Sequence, residues 1–133
     1  MLGSGVLIAG LISGKGAPCS LLWLWLGGSF ELITYPALLA ELDRVLSRPK
    51  FRPYVTLQEV QSYVALLSRL CSLKPDPEVK SGLTPDPGDD YLVALARAAG
   101  AHVLVSDDSH LTELKQAEPP VLTPRGFLRR LGS

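Results

Sequence analysis

Several acidic residues stand at positions in this sequence where their carboxylates could act together on a divalent metal ion. Asp89 opens a helix predicted over residues 89–99, and it shares an apolar stripe with Leu92, Val93 and Ala96. An unpaired charge directed towards a core is unfavourable, so a bound metal ion would explain this acid. The alternative is a solvated carboxylate in the first turn, stabilised by the helix dipole alone.

An earlier helix, predicted over residues 37–46 behind Pro36 at its first position, carries two further acids. Glu41 and Asp43 lie at opposite edges of its apolar stripe, and hydrophobic periodicity does not choose between them. Either residue could equally be an ordinary solvated acid on a helix surface. The spacing therefore leaves two candidates for one metal ligand.

Asp107 and Asp108 follow directly after a short buried strand predicted over residues 102–106. Ligands of open α/β sheets gather beyond the carboxyl ends of the strands, so acids at this position favour a functional site. A turn-forming Asp that caps the next short helix is the competing interpretation.

A basic segment offers a separate surface for nucleic acid. Arg48, Lys50 and Arg52 alternate with prolines and aromatic residues, a mixture that could bind single-stranded RNA by charge and stacking. A solvated loop is the other interpretation. With 13 basic and 13 acidic residues the chain has no net charge, so any binding of nucleic acid must depend on such a local patch.

The order of the predicted elements indicates how these residues are positioned. Strands are predicted over residues 30–34, 102–106 and 121–122, whereas residues 6–12 fit either a buried strand or the start of a helix. Strands that alternate with helices predict an α/β fold, with a parallel sheet covered by helices on both faces. At 133 residues, we expect a single domain over 1–133.

Cysteine usage and hydropathy indicate an intracellular protein. Cys19 and Cys71 have no CxxC spacing, so we expect free, buried thiols rather than a disulfide or a zinc site. The apolar run at residues 6–12 lacks the flanks of a signal peptide, and the run at 21–26 is too short to span a bilayer. A cytoplasmic location without a membrane segment is expected.

Several segments, in their order and spacing, resemble the PIN-domain family, and in particular the toxin components of bacterial and archaeal toxin–antitoxin pairs. The likeness runs from Leu2 to Leu131. Its best-matching stretches are VLIAGLISGKGAP at 6–18, PALLAELDRVLSRPKF at 36–51, DPGDDYLVALARAAGAHVLVSDDSHL at 86–111 and LTPRGFL at 122–128.

The resemblance implies a PIN-like three-layer sandwich, with a central parallel sheet and helices on both faces, that acts as a ribonuclease dependent on Mg²⁺ or Mn²⁺. Matched to the family's motifs, the catalytic and metal-binding acids are Glu41, Asp89 and Asp108, and Ser106 stands where the family usually has Thr. The resemblance also implies an RNA substrate, an antitoxin protein as partner and a homodimer.

The sequence departs from the family at the first motif, where Asp-Thr-Asn is replaced by Gly3-Ser4-Gly5. Only the hydroxyl of Ser4 survives there. We expect weaker metal binding and a reduced rate, or an inactive PIN-like module that binds RNA or protein. The residues expected to contact substrate are Ser4, Ser106, Arg48, Lys50 and Arg52.

Overall fold

The structure is a computed structural model that describes residues 1–75, 91–114 and 117–132. Its helices are α1 (Ser4–Ile12), α2 (Ala17–Leu26), α3 (Pro36–Leu46), a 3₁₀ turn (Pro49–Phe51), α4 (Leu57–Leu70), α5 (Tyr91–Ala98), α6 (Ser109–Thr112) and α7 (Pro124–Leu131). Its strands are β1 (Ile33–Thr34), β2 (Ser72–Leu73), β3 (Leu104–Val105) and β4 (Val121–Leu122).

The ends of two helices follow from local sequence signals. At the start of α4, the Thr56 hydroxyl accepts from the Glu59 N–H and the Glu59 carboxylate accepts from the Thr56 N–H, each at 3.0 Å. This capping box satisfies two of the donors that a helix start leaves unpaired. Helix α5 ends at Ala98, and Gly100 just beyond it has a φ of +72°, which is costly for other residues. Both ends are where the sequence predicts them.

The ambiguous apolar run at residues 6–12 is helical and belongs to α1. The extended segment before this helix is Met1–Gly3, where the Gly3 N–H donates to the Val105 oxygen at 2.8 Å. Helix α1 begins at the next residue and packs closely against α2. A Cβ on Gly10 would lie 2.5 Å from Leu22 Cδ1, so glycine allows this approach.

All described strand pairings are parallel, as the sequence predicts. Ile33 pairs with Ser72, Leu104 pairs with Val121, and Leu2 forms an isolated bridge with Val105. In the described part of the chain these form two separate pairs of two-residue strands, so a continuous central sheet is not confirmed. The strands predicted over residues 30–34 and 102–106 are shorter than predicted, and they cover Ile33–Thr34 and Leu104–Val105.

A groove of about 520 Å³ separates the two strand pairs. Its walls include Met1 and Leu2 on one side and Ile33 on the other. In a parallel sheet, alternate residues of a strand direct their backbone groups to the neighbours on opposite sides. The carbonyl oxygens of Leu32 and Thr34 accept hydrogen bonds from the N–H groups of Ser72 and Lys74, on the side of β2. The backbone groups of Ile33 therefore face the groove and do not join the two strand pairs into one sheet.

Two apolar clusters stabilise the fold. The larger cluster joins α1 to α4 and includes the fully buried Val6, Leu21, Leu42 and Leu67. The smaller cluster lies around α5, β3 and β4. No single described helix is long and apolar enough to cross a membrane, although α1 and α2, bent by 94° at their junction, pass that test as a pair.

Both cysteines are free thiols, as predicted, but both are half-buried and not fully buried. Their surroundings predict unequal reactivity. Burial raises the pKa of the Cys71 thiol to about 12, so very little reactive thiolate exists near pH 8. We expect iodoacetamide at pH 8 to modify the half-exposed Cys19 in the native protein and to leave Cys71 unmodified until the chain unfolds. Peptide mass spectrometry with and without urea would check this, and equal native labelling of both thiols would contradict it.

Candidate active site

A pocket of about 260 Å³ lies beyond the carboxyl ends of the first extended segment and β3. Because Met1–Gly3 runs parallel to β3, the residues that follow both segments meet at the same edge. The pocket is lined by Gly3, Ser4, Gly5, Leu92, Ser106, Asp107, Asp108 and Leu111. It therefore contains both predicted serines and one of the three predicted acids.

Ser106 and Asp108 are held together by the turn that leaves β3. Ser106 is only 4% exposed, and its Oγ accepts from the Asp108 N–H at 3.0 Å. Asp108 caps α6, because its Oδ1 accepts from the His110 N–H at 2.9 Å. The capping role that the sequence left open for this pair of acids is thus observed for Asp108, whose side chain also lines the pocket.

The Asp107 carboxylate lies against the N-terminus of α1. A Cβ on Gly5 would be 2.6 Å from Asp107 Oδ1 and 2.9 Å from Oδ2, so the carboxylate occupies the space that a side chain at position 5 would need. Helix α1 has no acidic residue in its first turn, and Gly3 provides no side-chain cap. The positive end of the helix dipole stabilises a carboxylate at this place.

Among the residues that the structure describes, the other predicted acids do not line this pocket. Glu41 is exposed on α3 and does not line the pocket. Asp43 is half-buried, and its Oδ1 accepts from the Ser47 hydroxyl at 3.3 Å. Asp89 lies outside the described residues, although Leu92 in the first turn of α5 lines the pocket.

The oxygen donors in the pocket fit a hard divalent cation. They comprise the carboxylates of Asp107 and Asp108 and the hydroxyls of Ser4 and Ser106, and such ligands suit Mg²⁺ or Mn²⁺. Among the residues the structure describes, no three His, Cys, Asp or Glu side chains form a metal-binding group. The described part of the site therefore supplies two carboxylates.

The basic segment lies away from the pocket and is not uniform. Arg48 and Lys50 are exposed, and Lys50 Nζ lies 5.1 Å from the centre of the Phe51 ring. Arg52 instead turns inward. Its Nη2 donates to the Leu46 oxygen, while Nε and Nη1 are buried without a hydrogen-bond partner among the described residues. Of the three basic residues of this segment, Arg48 and Lys50 are therefore the two that could contact RNA from solvent.

Sequence reasoning gave little weight to Asp107 and to Gly5 opposite it. Two glycines flanking the first residue of a helix can indicate a close approach by another group. The sequence alone does not reveal which side chain makes that approach.

Parallel strand pairs, covering helices and acids beyond the strand ends define an α/β protein with a candidate metal-dependent site. The sequence profile described as PIN domain matches residues 1–110. The chain therefore belongs to the PIN-domain family, whose members are generally nuclease-like and typically depend on divalent metal ions. No curated protein and no solved structure matches the chain significantly.

Proposed function

We propose that this chain is a cytoplasmic ribonuclease of the toxin–antitoxin type that hydrolyses RNA phosphodiester bonds with Mg²⁺ or Mn²⁺. The observation that carries the proposal is the placement of Asp107 and Asp108 in one pocket beyond β3, in a chain of a nuclease-like family. The proposed catalytic and metal-binding acids are Glu41, Asp89 and Asp108, of which Asp108 lines the pocket and Asp89 lies outside the described residues. Glu41 is exposed on α3 and would have to act from outside the pocket lining.

Groups in the pocket and in the basic segment have separate roles in this reaction. When bound, the divalent ion would lower the pKa of a coordinated water and stabilise charge on the scissile phosphate. Ser106 fixes the turn that presents Asp108. The Ser4 hydroxyl, in the pocket lining, would bind a phosphate oxygen of the RNA. Exposed Arg48 and Lys50 would attract the RNA backbone.

The decisive experiment is cleavage of a labelled single-stranded RNA with Mn²⁺, Mg²⁺ or EDTA. We expect cleavage with either metal and none with EDTA. Asp108→Asn should lower the rate about 100-fold, a typical loss when one group that stabilises the transition state is removed. Asparagine also caps helices, so this variant should keep α6 intact. Asp89→Asn should have a similar effect.

A matched control is Asp43→Asn on α3, which removes a carboxylate that does not line the pocket and should cleave like the parent. Gly3→Asp tests the departure from the family motif. Its Cβ would meet its nearest atom, the Val105 oxygen, at 3.4 Å, so a Cβ at position 3 makes no severe clash. Metal-independent cleavage, or full activity in Asp108→Asn, would contradict the proposed mechanism.

A second candidate function is a catalytically inactive module that binds RNA or protein. Gly3 in place of an acid favours it, as does the lack of a three-residue metal-binding group within the described ranges. RNA binding that is unchanged by EDTA and by Asp108→Asn, without cleavage by any variant, would support this alternative.

An antitoxin partner and a homodimer belong to the same proposal. Supporting it, α2 exposes large apolar side chains, with Trp23 70% and Leu26 43% accessible. Exposed aromatic residues of this kind are enriched at protein interfaces. Sedimentation of the parent and of Trp23→Ser would show whether this surface holds two copies together.

A further inference from the structure

Asp107 and Asp108 are adjacent in sequence but differ in what their carboxylates contact. The Asp108 carboxylate is engaged in capping α6 through the His110 N–H. The Asp107 carboxylate instead lies over Gly5 at the start of α1. Asp107 is therefore the acid after β3 that faces the first motif.

We propose that Asp107 is a ligand of the divalent cation and supplies, from the turn after β3, the carboxylate that Gly3 does not provide. This inference rests on the proposed metal-dependent function. Gly3, Gly5 and Asp107 line the same pocket, so the Asp107 carboxylate is present in the pocket where the family's first acid is missing. Asp107 is solvent-exposed, which lets a hydrated cation reach its oxygens.

The position of the Asp107 carboxylate depends on the absence of a side chain at Gly5. With a Cβ 2.6 Å from Asp107 Oδ1, any larger residue at position 5 would displace the carboxylate. Gly14 provides a contrast, because no atom lies within 4 Å of the place where its Cβ would be. A methyl group at position 5 should therefore weaken metal binding without removing any donor atom.

The test is Mn²⁺ binding to the full chain by isothermal titration calorimetry and electron paramagnetic resonance, with no RNA present. Asp107→Asn and Gly5→Ala should each weaken binding at least about tenfold, the smallest loss usual when groups around a metal are changed. Gly14→Ala should bind like the parent. Gly3→Asp combined with Asp107→Asn should regain the lost affinity.

Melting temperatures in EDTA serve as the folding control for each variant. If the parent binds Mn²⁺ and Asp107→Asn binds it equally well, the role of Asp107 is overturned while the proposed function stands. If the parent itself binds no Mn²⁺ at millimolar concentration, both proposals are overturned.

Discussion

Leu42→Ala is expected to lower the free energy of unfolding by about 3 kcal/mol, the middle of the range for such changes in a packed core. Leu42 lies on the inner face of α3 with no exposed surface and belongs to the larger apolar cluster. Its replacement removes methyl groups from water-excluded packing and leaves a cavity that its neighbours can only partly fill.

Chemical denaturation monitored by circular dichroism would measure this loss. The matched control is Leu70→Ala near the end of α4, since Leu70 is 52% exposed. We expect this surface change to shift the free energy by no more than about 0.5 kcal/mol. Equal losses in the two variants would show that α3 is not packed as described.

Gly10→Val should destabilise the protein by about 2 kcal/mol, as overpacking of a tight contact does. In addition to its clash with Leu22 Cδ1, a Cβ at position 10 would lie 3.2 Å from the Pro18 carbonyl oxygen, a backbone atom that cannot rotate away. Helices α1 and α2 would have to separate. That movement would also disturb the start of α1, where the pocket lies.

Thermal denaturation of a double-mutant set would test the contact. Leu22→Ala removes the nearest obstructing atoms, so it should recover part of the loss in Gly10→Val. Gly14→Val, in open space, should melt close to the parent. Additive effects of the changes at positions 10 and 22 would exclude direct contact between the two helices there.

Local signals explain how much of the fold could be predicted from sequence. The capping box at Thr56 and the glycine stop at Gly100 depend on residues a few positions apart, and both are observed. The helical state of residues 6–12 could not be predicted, because it depends on the pairing of Met1–Gly3 with β3, about a hundred residues away. The strand ends likewise depend on distant partners.

The same distinction applies to the candidate site. Beyond the strand end, the sequence identified Asp108 and Ser106, and both line the pocket. It gave little weight to Asp107, because no spacing rule shows that this carboxylate approaches Gly5. Periodicity also could not show that Glu41 points to solvent and does not reach the pocket.

The contact between Gly5 and Asp107 couples two positions that are about a hundred residues apart in the chain. A Cβ at position 5 would lie 2.6 Å from Asp107 Oδ1, so a larger residue there requires the Asp107 side chain to rotate away. The residue at position 5 therefore decides where the Asp107 carboxylate can lie.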